Sequence, residues 1–301
     1  MSVGVLVMAY GTPASPDDVA DYYTHIRHGR APTDEQLADL RRRYDAIGGT
    51  SPMARRTGAQ VRAIGAALDA VAADGFVTAL GQKHAAPFVE DAVDELCAAG
   101  VEHVVGVVLA PHWSRASIGG YFERAAAAAS AHGVAFSGIE RWHQLPEWID
   151  FQASAVREAL SELPDRTKVV LTAHSLPERL LDGDPYPDEL RQSAEAIARA
   201  AGLAQWAGWG LGWQSAGRTP EPWRGPDITT IIRDLADTGR SDGILIVPQG
   251  FTSENLEVLY DLDIDAAAIA AEVGLAFGRT RVPDDDPTVM AALARLIAST
   301  P

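Results

Sequence analysis

The sequence predicts a parallel, doubly wound α/β protein built as two Rossmann-like halves, each a four-stranded sheet flanked by helices. Two observations carry that expectation. Short apolar, β-branched runs alternate with helical stretches along the 301 residues, the pattern of strands joined by crossover helices. About eight such runs occur, many for one sheet of this length and natural for two halves of four. A third observation places a cleft. Tyr10, Lys83-His84, Pro111-His112, His174, Gln214-Ser215 and Pro248-Gln249 each follow one of the runs. In a parallel fold the strand ends lie on one side, so these polar groups converge there.

Taken in order, residues 4–9 read as the first strand. Helical stretches follow at 16–23, 33–44 and 54–73, interrupted by the basic, glycine-punctuated segment Thr24-His25-Ile26-Arg27-His28-Gly29-Arg30. Strands at 76–80, 103–110 and 135–139 then alternate with helices at 87–99 and 121–132. A boundary is expected near residues 142–148, giving halves at 1–145 and 146–285 and a final helical segment, 286–301, that can return to the first half. The second half reads as helix 147–163, a strand from Lys168, helix 188–201 and a Trp-rich segment at 205–213. Helix 228–237, strand 244–247, helix 253–261, a short strand at 275–277 and helix 287–298 complete the chain. Gly208-Trp209-Gly210-Leu211-Gly212 does not match G-x-G-x-x-G and opens no clear helix, so dinucleotide binding is rejected.

Forty-one acidic against 25 basic residues give a net charge of −16, which argues against general affinity for nucleic acid or an anionic membrane. No run of 18 or more apolar residues and no basic-then-apolar leader occurs, so a cytoplasmic protein without membrane insertion is expected. The single cysteine, Cys97, rules out an internal disulfide and a cysteine-bound iron–sulfur cluster.

The stretch Leu171-Thr172-Ala173-His174-Ser175-Leu176-Pro177 ends a buried strand in one histidine, at the position where open α/β sheets bind ligands. Alone, His174 reads equally as a core histidine bonded to a neighbouring loop. Residues 248–265 add a row of carboxylates. With Ser253 as N-cap, Glu254, Glu257, Asp261 and Asp265 fall at spacings of three, four and four, on one helical face. Over ~1.5 Å per residue they run roughly 16 Å. A solvated acidic face is the plain reading. Against it, the like charges repel, with no lysine or arginine nearby in sequence. Carboxylates with one imidazole suit a transiently held divalent metal such as Fe²⁺.

At His174 and Glu257 the chain resembles the ferrochelatases, enzymes that insert ferrous iron into a porphyrin. The resemblance rests on runs 7–13, 173–177, 183–187, 212–215, 219–223 and 256–261, in order along essentially the whole chain. It implies chelatase-type halves with the cleft between them. It also implies iron-site roles for His174 and Glu257, one on each side of the porphyrin nitrogens, and Tyr10 as an axial ligand to iron. Arg27, Arg43, Tyr44, Ser51 and Tyr121 match positions that hold the macrocycle and its propionates. Glu254, Asp261 and Asp265 match a metal or proton relay. Asn255 stands where many relatives have a histidine.

The implied substrates are Fe²⁺ and coproporphyrin III, the porphyrin of the Gram-positive-type bacterial group, with no permanently bound cofactor. A monomer making transient contacts with neighbouring haem-pathway enzymes is expected. A protoporphyrin IX enzyme, a cobalt or nickel chelatase and a non-catalytic haem carrier stay open as alternatives. His25, His103, His132 and His143 are expected on the surface or in packing, while His84 and His112 could line the cleft.

Overall fold

The computed structural model of the protein describes residues 2–203, 208–217 and 219–300. The first half runs β1 (Val3–Ala9), α1 (Val19–Ile26), α2 (Asp34–Ala46), α3 (Met53–Val71) and β2 (Phe76–Gln82). It continues with α4 (Val89–Ala98), β3 (His103–Val108), α5 (Gly120–Ala131) and β4 (Ala135–Ile139). The connecting helix α6 (Pro146–Leu160) leads to β5 (Thr167–His174), α7 (Tyr186–Ala201), β6 (Trp209–Gln214) and α8 (Ile228–Thr238). Then come β7 (Gly243–Val247), α9 (Ala267–Glu272), β8 (Ala276–Arg279) and α10 (Pro287–Ala298). Residues 205–207 of the expected Trp-rich segment lie outside the described residues.

The strands form two four-stranded sheets, ordered β2-β1-β3-β4 and β6-β5-β7-β8. Every pairing is parallel. The expected pair of four-stranded, Rossmann-like halves is therefore present, and both halves repeat one strand order although the sequence carries no readable repeat. β1 and β5 occupy equivalent places beside the point where strand order reverses, where such sheets bind ligands. Tyr10 follows β1, and His174 ends β5.

The uninterrupted apolar runs follow from burial on both faces: residues 4–9 of β1 and all of β7 are buried. Between the sheets, Val5, Val7, Val105 and Val107 join Val169, Leu171, Leu245 and Val247 in one core. Trp148, Leu293 and Ile297 fill the same cluster. Each such aliphatic side chain contributes about 1.5–3 kcal/mol when buried, so the two halves pack as one body. α10 lies against α3 of the first half and also contacts α6. Trp142 crosses Trp148 edge-on, centroids 5.2 Å apart, and its indole N–H donates to the Val108 carbonyl at 3.0 Å.

Three local expectations are corrected. α1 follows a single 3₁₀ turn and extends through Ile26, so the basic loop begins at Arg27 rather than Thr24. The helix expected from residue 121 is preceded by a π-helical turn, Arg115–Gly119. The helix expected at 253–261 is instead a π-helix, Glu257–Ala266, running directly into α9. Its start is capped by Asn255, whose Oδ1 accepts from the N–H groups of Glu257 at 2.9 Å and Val258 at 3.0 Å. Ser253 is buried and is not the cap. The reason is tertiary: the Glu254 N–H donates to Asp284 Oδ1 at 3.1 Å, holding residue 254 outside the helix.

Candidate active site

His174 stands at the carboxyl end of β5, and its surroundings fix its ring. Nδ1 lies 2.5 Å from the Ser175 carbonyl. A carbonyl only accepts, so Nδ1 carries the proton and Nε2 is left toward the cleft. Behind it, a Cβ at Gly250 would sit 2.8 Å from Ala173 Cβ and 3.0 Å from Ala173 Cα. Glycine alone lets the loop after β7 pass behind the strand that presents the histidine.

Glu257 Oε1 lies 3.3 Å from His174 Nε2. This corrects the expectation that a macrocycle passes between them. A ring in van der Waals contact on both faces needs roughly 7 Å between the flanking atoms, so none passes between the two groups as they stand in this structure. Their side chains are 36 % and 38 % exposed, within a recess rather than on a convex surface. Burial pushes the imidazole down, but Glu257, the Ser175 bond and Asp261 outweigh it and hold the pKa at about 9.

The acidic row is divided by its partners. Asp261 Oδ2 accepts from the Ser215 hydroxyl at 2.5 Å, and Oδ1 faces Arg43 Nη1 at 3.3 Å. Burial first, and the charge of Glu257 second, raise the Asp261 carboxyl to about 6. Ser215 holds φ at +60°, a left-handed conformation uncommon outside glycine and of the kind that gathers at functional sites. Glu254 departs from this face. It pairs with Arg279 at 3.2 Å, and Arg279 also bonds Asp263 at 2.6 Å. Arg43 and Arg279 thus supply the cations that the local sequence lacks. Asp265 is half-buried and adds a smaller negative influence on Asp261.

Tyrosines surround the carboxylate. Tyr10, Tyr22, Tyr44 and Tyr186 are each raised above the ordinary phenol range, by burial first and by the charge of Glu257 among the further causes. Tyr44 is pushed to about 12. The Tyr22 hydroxyl donates to the Gly11 carbonyl at 2.9 Å, Tyr44 and Thr12 hydroxyls are 3.4 Å apart, and the Tyr186 hydroxyl donates to the His174 carbonyl at 3.2 Å. Tyr10 is 42 % exposed, although burial is the first cause of its raised pKa. Tyr121 is buried beneath Lys83, whose Nζ lies 4.8 Å from the ring centroid. Flat aromatic walls around one carboxylate and one imidazole suit a flat, polarisable ligand that exchanges cations and protons.

The remaining expected residues divide. Arg43 is turned to Asp261, to Asp39 at 3.5 Å and to the Tyr260 ring at 5.0 Å. Ser51 is buried and its hydroxyl accepts from the Met53 N–H at 3.2 Å, at the start of α3. Arg27 lies over the Tyr23 ring and donates from Nε to the Arg30 carbonyl at 3.2 Å. His103 meets Ser137 at 2.9 Å, His132 meets Asp94 at 2.7 Å, and His143 is buried against His112. His112 faces Ser193 at 2.8 Å in the core and does not line the recess. Tyr22 and Tyr186 join the site without a role assigned from the sequence, as do Ser215, named only among the strand-end groups, and Asn255, named only for standing in place of a histidine. Ser215 had a readable signal, its place after β6.

Among the described residues, no three His, Cys, Asp or Glu groups converge as a metal cluster. A separate hollow of about 660 Å³, lined by Glu178, Asp182, Asp184, Asp188 and Arg224 among others, shares none of the site residues.

Comparison with known proteins agrees with the resemblance. The ferrochelatase family model matches residues 2–300. The coproporphyrin III ferrochelatase of Geobacillus kaustophilus is 43 % identical over 303 residues, covering 98 % of this chain and 95 % of that protein. That of Halalkalibacterium halodurans is 41 % identical over 300 residues, covering 98 % and 96 %. Among solved structures, SirB from Bacillus subtilis with Fe³⁺ superposes with a TM-score of 0.58 at 14 % identity, covering 99 % of this chain and 96 % of that one. CbiX, a siroheme-biosynthesis enzyme of denitrifying bacteria, gives 0.56 at 15 % identity, covering 99 % and 100 %. At that identity the likeness is one of fold. The match over nearly the full chain and the relatives above 40 % identity establish that this protein belongs to the ferrochelatase family.

Proposed function

We propose that the chain inserts Fe²⁺ into coproporphyrin III to give iron coproporphyrin in haem biosynthesis. The curated relatives of that name support the substrate. The observation that carries the chemistry is the His174–Glu257 pair, 3.3 Å apart in a tyrosine-walled recess. Insertion exchanges two pyrrole N–H protons for one Fe²⁺. In the resting site His174 is protonated at neutral pH and held so by Glu257. A cation arriving at Glu257 cancels the charge that stabilises the imidazolium, and burial then favours the neutral base.

On this reading, pyrrole protons leave on the His174–Glu257 side, with Asp261 behind Glu257 as the next acceptor. Tyr10, from the other half, approaches the metal from the opposite face. Arg27 anchors propionates as a guanidinium fork, while Tyr44, Ser51 and Tyr121 shape the wall. Arg43 sets the charge at Asp261. Asp265 extends the relay from Asp261, and Glu254 stands outside it, tied to Arg279.

No resident cofactor is needed, and Cys97, alone on α4, supports no iron–sulfur cluster. Among the described residues no helix is long and apolar enough to cross a membrane. The large exposed apolar side chains there are Tyr10 and Val71, which form no docking lip. We propose that the protein works in the cytoplasm as a monomer, in brief contact with neighbouring pathway enzymes.

The test is anaerobic iron insertion, followed continuously, with coproporphyrin III and protoporphyrin IX side by side. Preference for protoporphyrin overturns the substrate reading. His174→Ala retaining near-normal insertion overturns the role of the pair.

A further inference from the structure

An imidazole pair at the rim of the recess takes no part in the chemistry above. His84 follows β2, and its backbone N–H donates to the Tyr10 carbonyl at 2.9 Å. Its ring packs on the Tyr10 ring, centroids 4.6 Å apart at 51°. His25, in the last turn of α1, brings its Nδ1 to 3.0 Å from His84 Nδ1. Its ring meets His84 edge-on at 77°, while Phe88 stacks on it at 5.3 Å and 26°. Two Nδ1 atoms bond only when one donates and the other accepts, so the rings hold opposite tautomers. His84 is therefore fixed through its backbone, by His25, and by the stack itself.

Tyr10 has the opposite character. Its side chain is 42 % exposed, and among the described residues its hydroxyl makes no hydrogen bond. Its backbone is pinned on both sides, by His84 at its own carbonyl and by the Tyr22 hydroxyl at the Gly11 carbonyl. Packing on the His84 ring biases the direction of the phenol oxygen, and an aromatic pair does so by up to about tenfold.

We infer that His84, braced by His25, is a positioning residue that sets the plane of Tyr10 against the bound macrocycle. This rests on the reading of Tyr10 as the group approaching iron. The mechanism is geometric: a phenol held in one rotamer meets the metal along one line, whereas a free one sweeps past it.

The test uses the full-length enzyme with ferric coproporphyrin III as probe, reading the phenolate-to-iron absorption band, together with kcat and KM for insertion. Tyr10→Phe is expected to abolish the band. His84→Ala is expected to weaken it and to lower kcat about tenfold, with KM for porphyrin changed less than about twofold. His84→Phe, which keeps a stacking ring and fills the space, is expected to recover most of the band and of kcat. If Tyr10→Phe leaves the band intact, Tyr10 is not the ligand and the inference falls with that reading. If Tyr10→Phe loses the band while His84→Ala keeps band and kcat, only the role of His84 falls. A change confined to KM in both His84 variants also overturns it, since that marks His84 as a porphyrin contact.

Discussion

His174 and Glu257 belong to different elements, a strand end and the first turn of a π-helix, yet only 3.3 Å separates Nε2 from Oε1. The carboxylate reverses the direction in which burial drives the imidazole, holding it at about 9.

Replacing Glu257 by Gln removes that charge, so the His174 pKa is expected to fall from about 9, since burial is then less opposed. Histidine ring NMR across pH 4–10 reads it directly. The sign for stability follows. A group raised on folding stabilises fully below its unfolded pKa, and that stability is lost as pH rises through the folded value. The melting-temperature gap between wild type and Glu257→Gln should therefore be widest below pH 6.5 and close above about 9. An unchanged His174 titration would refute the pairing.

Asp261 is shifted in the same sense, in a lower pH window. Its carboxyl sits near 6, above the usual aspartate value of 3.8, so the folded state holds the proton more tightly than the unfolded chain. Stability is thus lost as pH climbs from 3.8 through 6. Asp261→Asn, which mimics the protonated form, should gain on wild type across that window by about 1–3 kcal/mol. Denaturant unfolding at pH 4 and pH 7 measures the difference of differences. A gap that is constant with pH would contradict the raised value.

Asn255 caps the π-helix through two backbone N–H groups. Asn255→Ala is expected to cost about 1 kcal/mol of stability, and Asn255→Asp to retain most of it. Because Glu257 donates one of those N–H groups, the alanine variant should also lower kcat. Equal stability and rate in both variants would leave the cap without consequence.

Glu189 locks the halves together. Its buried carboxylate accepts from the Trp113 N–H at 2.6 Å and faces Arg141 at 3.2 Å. Glu189→Ala leaves the Trp113 N–H without its acceptor and is expected to cost about 1–3 kcal/mol. Glu189→Gln, which keeps an acceptor for Trp113, should cost less. Chemical denaturation of both variants checks the order, and a reversal would point to a purely steric role.

The layered fold was legible because its signals are local. Apolar runs and helical periodicity depend on nearest neighbours along the chain, so α10 is observed at Pro287–Ala298, where the pattern puts it. His174 was legible for the same reason: a buried strand that stops at one histidine is a local fact. The organisation of the acidic row was not. Its cations, Arg43 and Arg279, arrive from 218 residues before Asp261 and 25 residues after Glu254.

The amino-acid order by itself determined the alternation of strands and helices, the two four-stranded halves, the family resemblance and the choice of His174 and Glu257 as the candidate imidazole and carboxylate. Tertiary structure alone decided that these two groups touch on one side of the recess, that the acidic helix is π-wound from Asn255, and that Glu254 is drawn away to Arg279. Those outcomes depend on contacts between distant segments, such as Asp284 taking the Glu254 N–H, and a helical repeat read along one segment contains no trace of them.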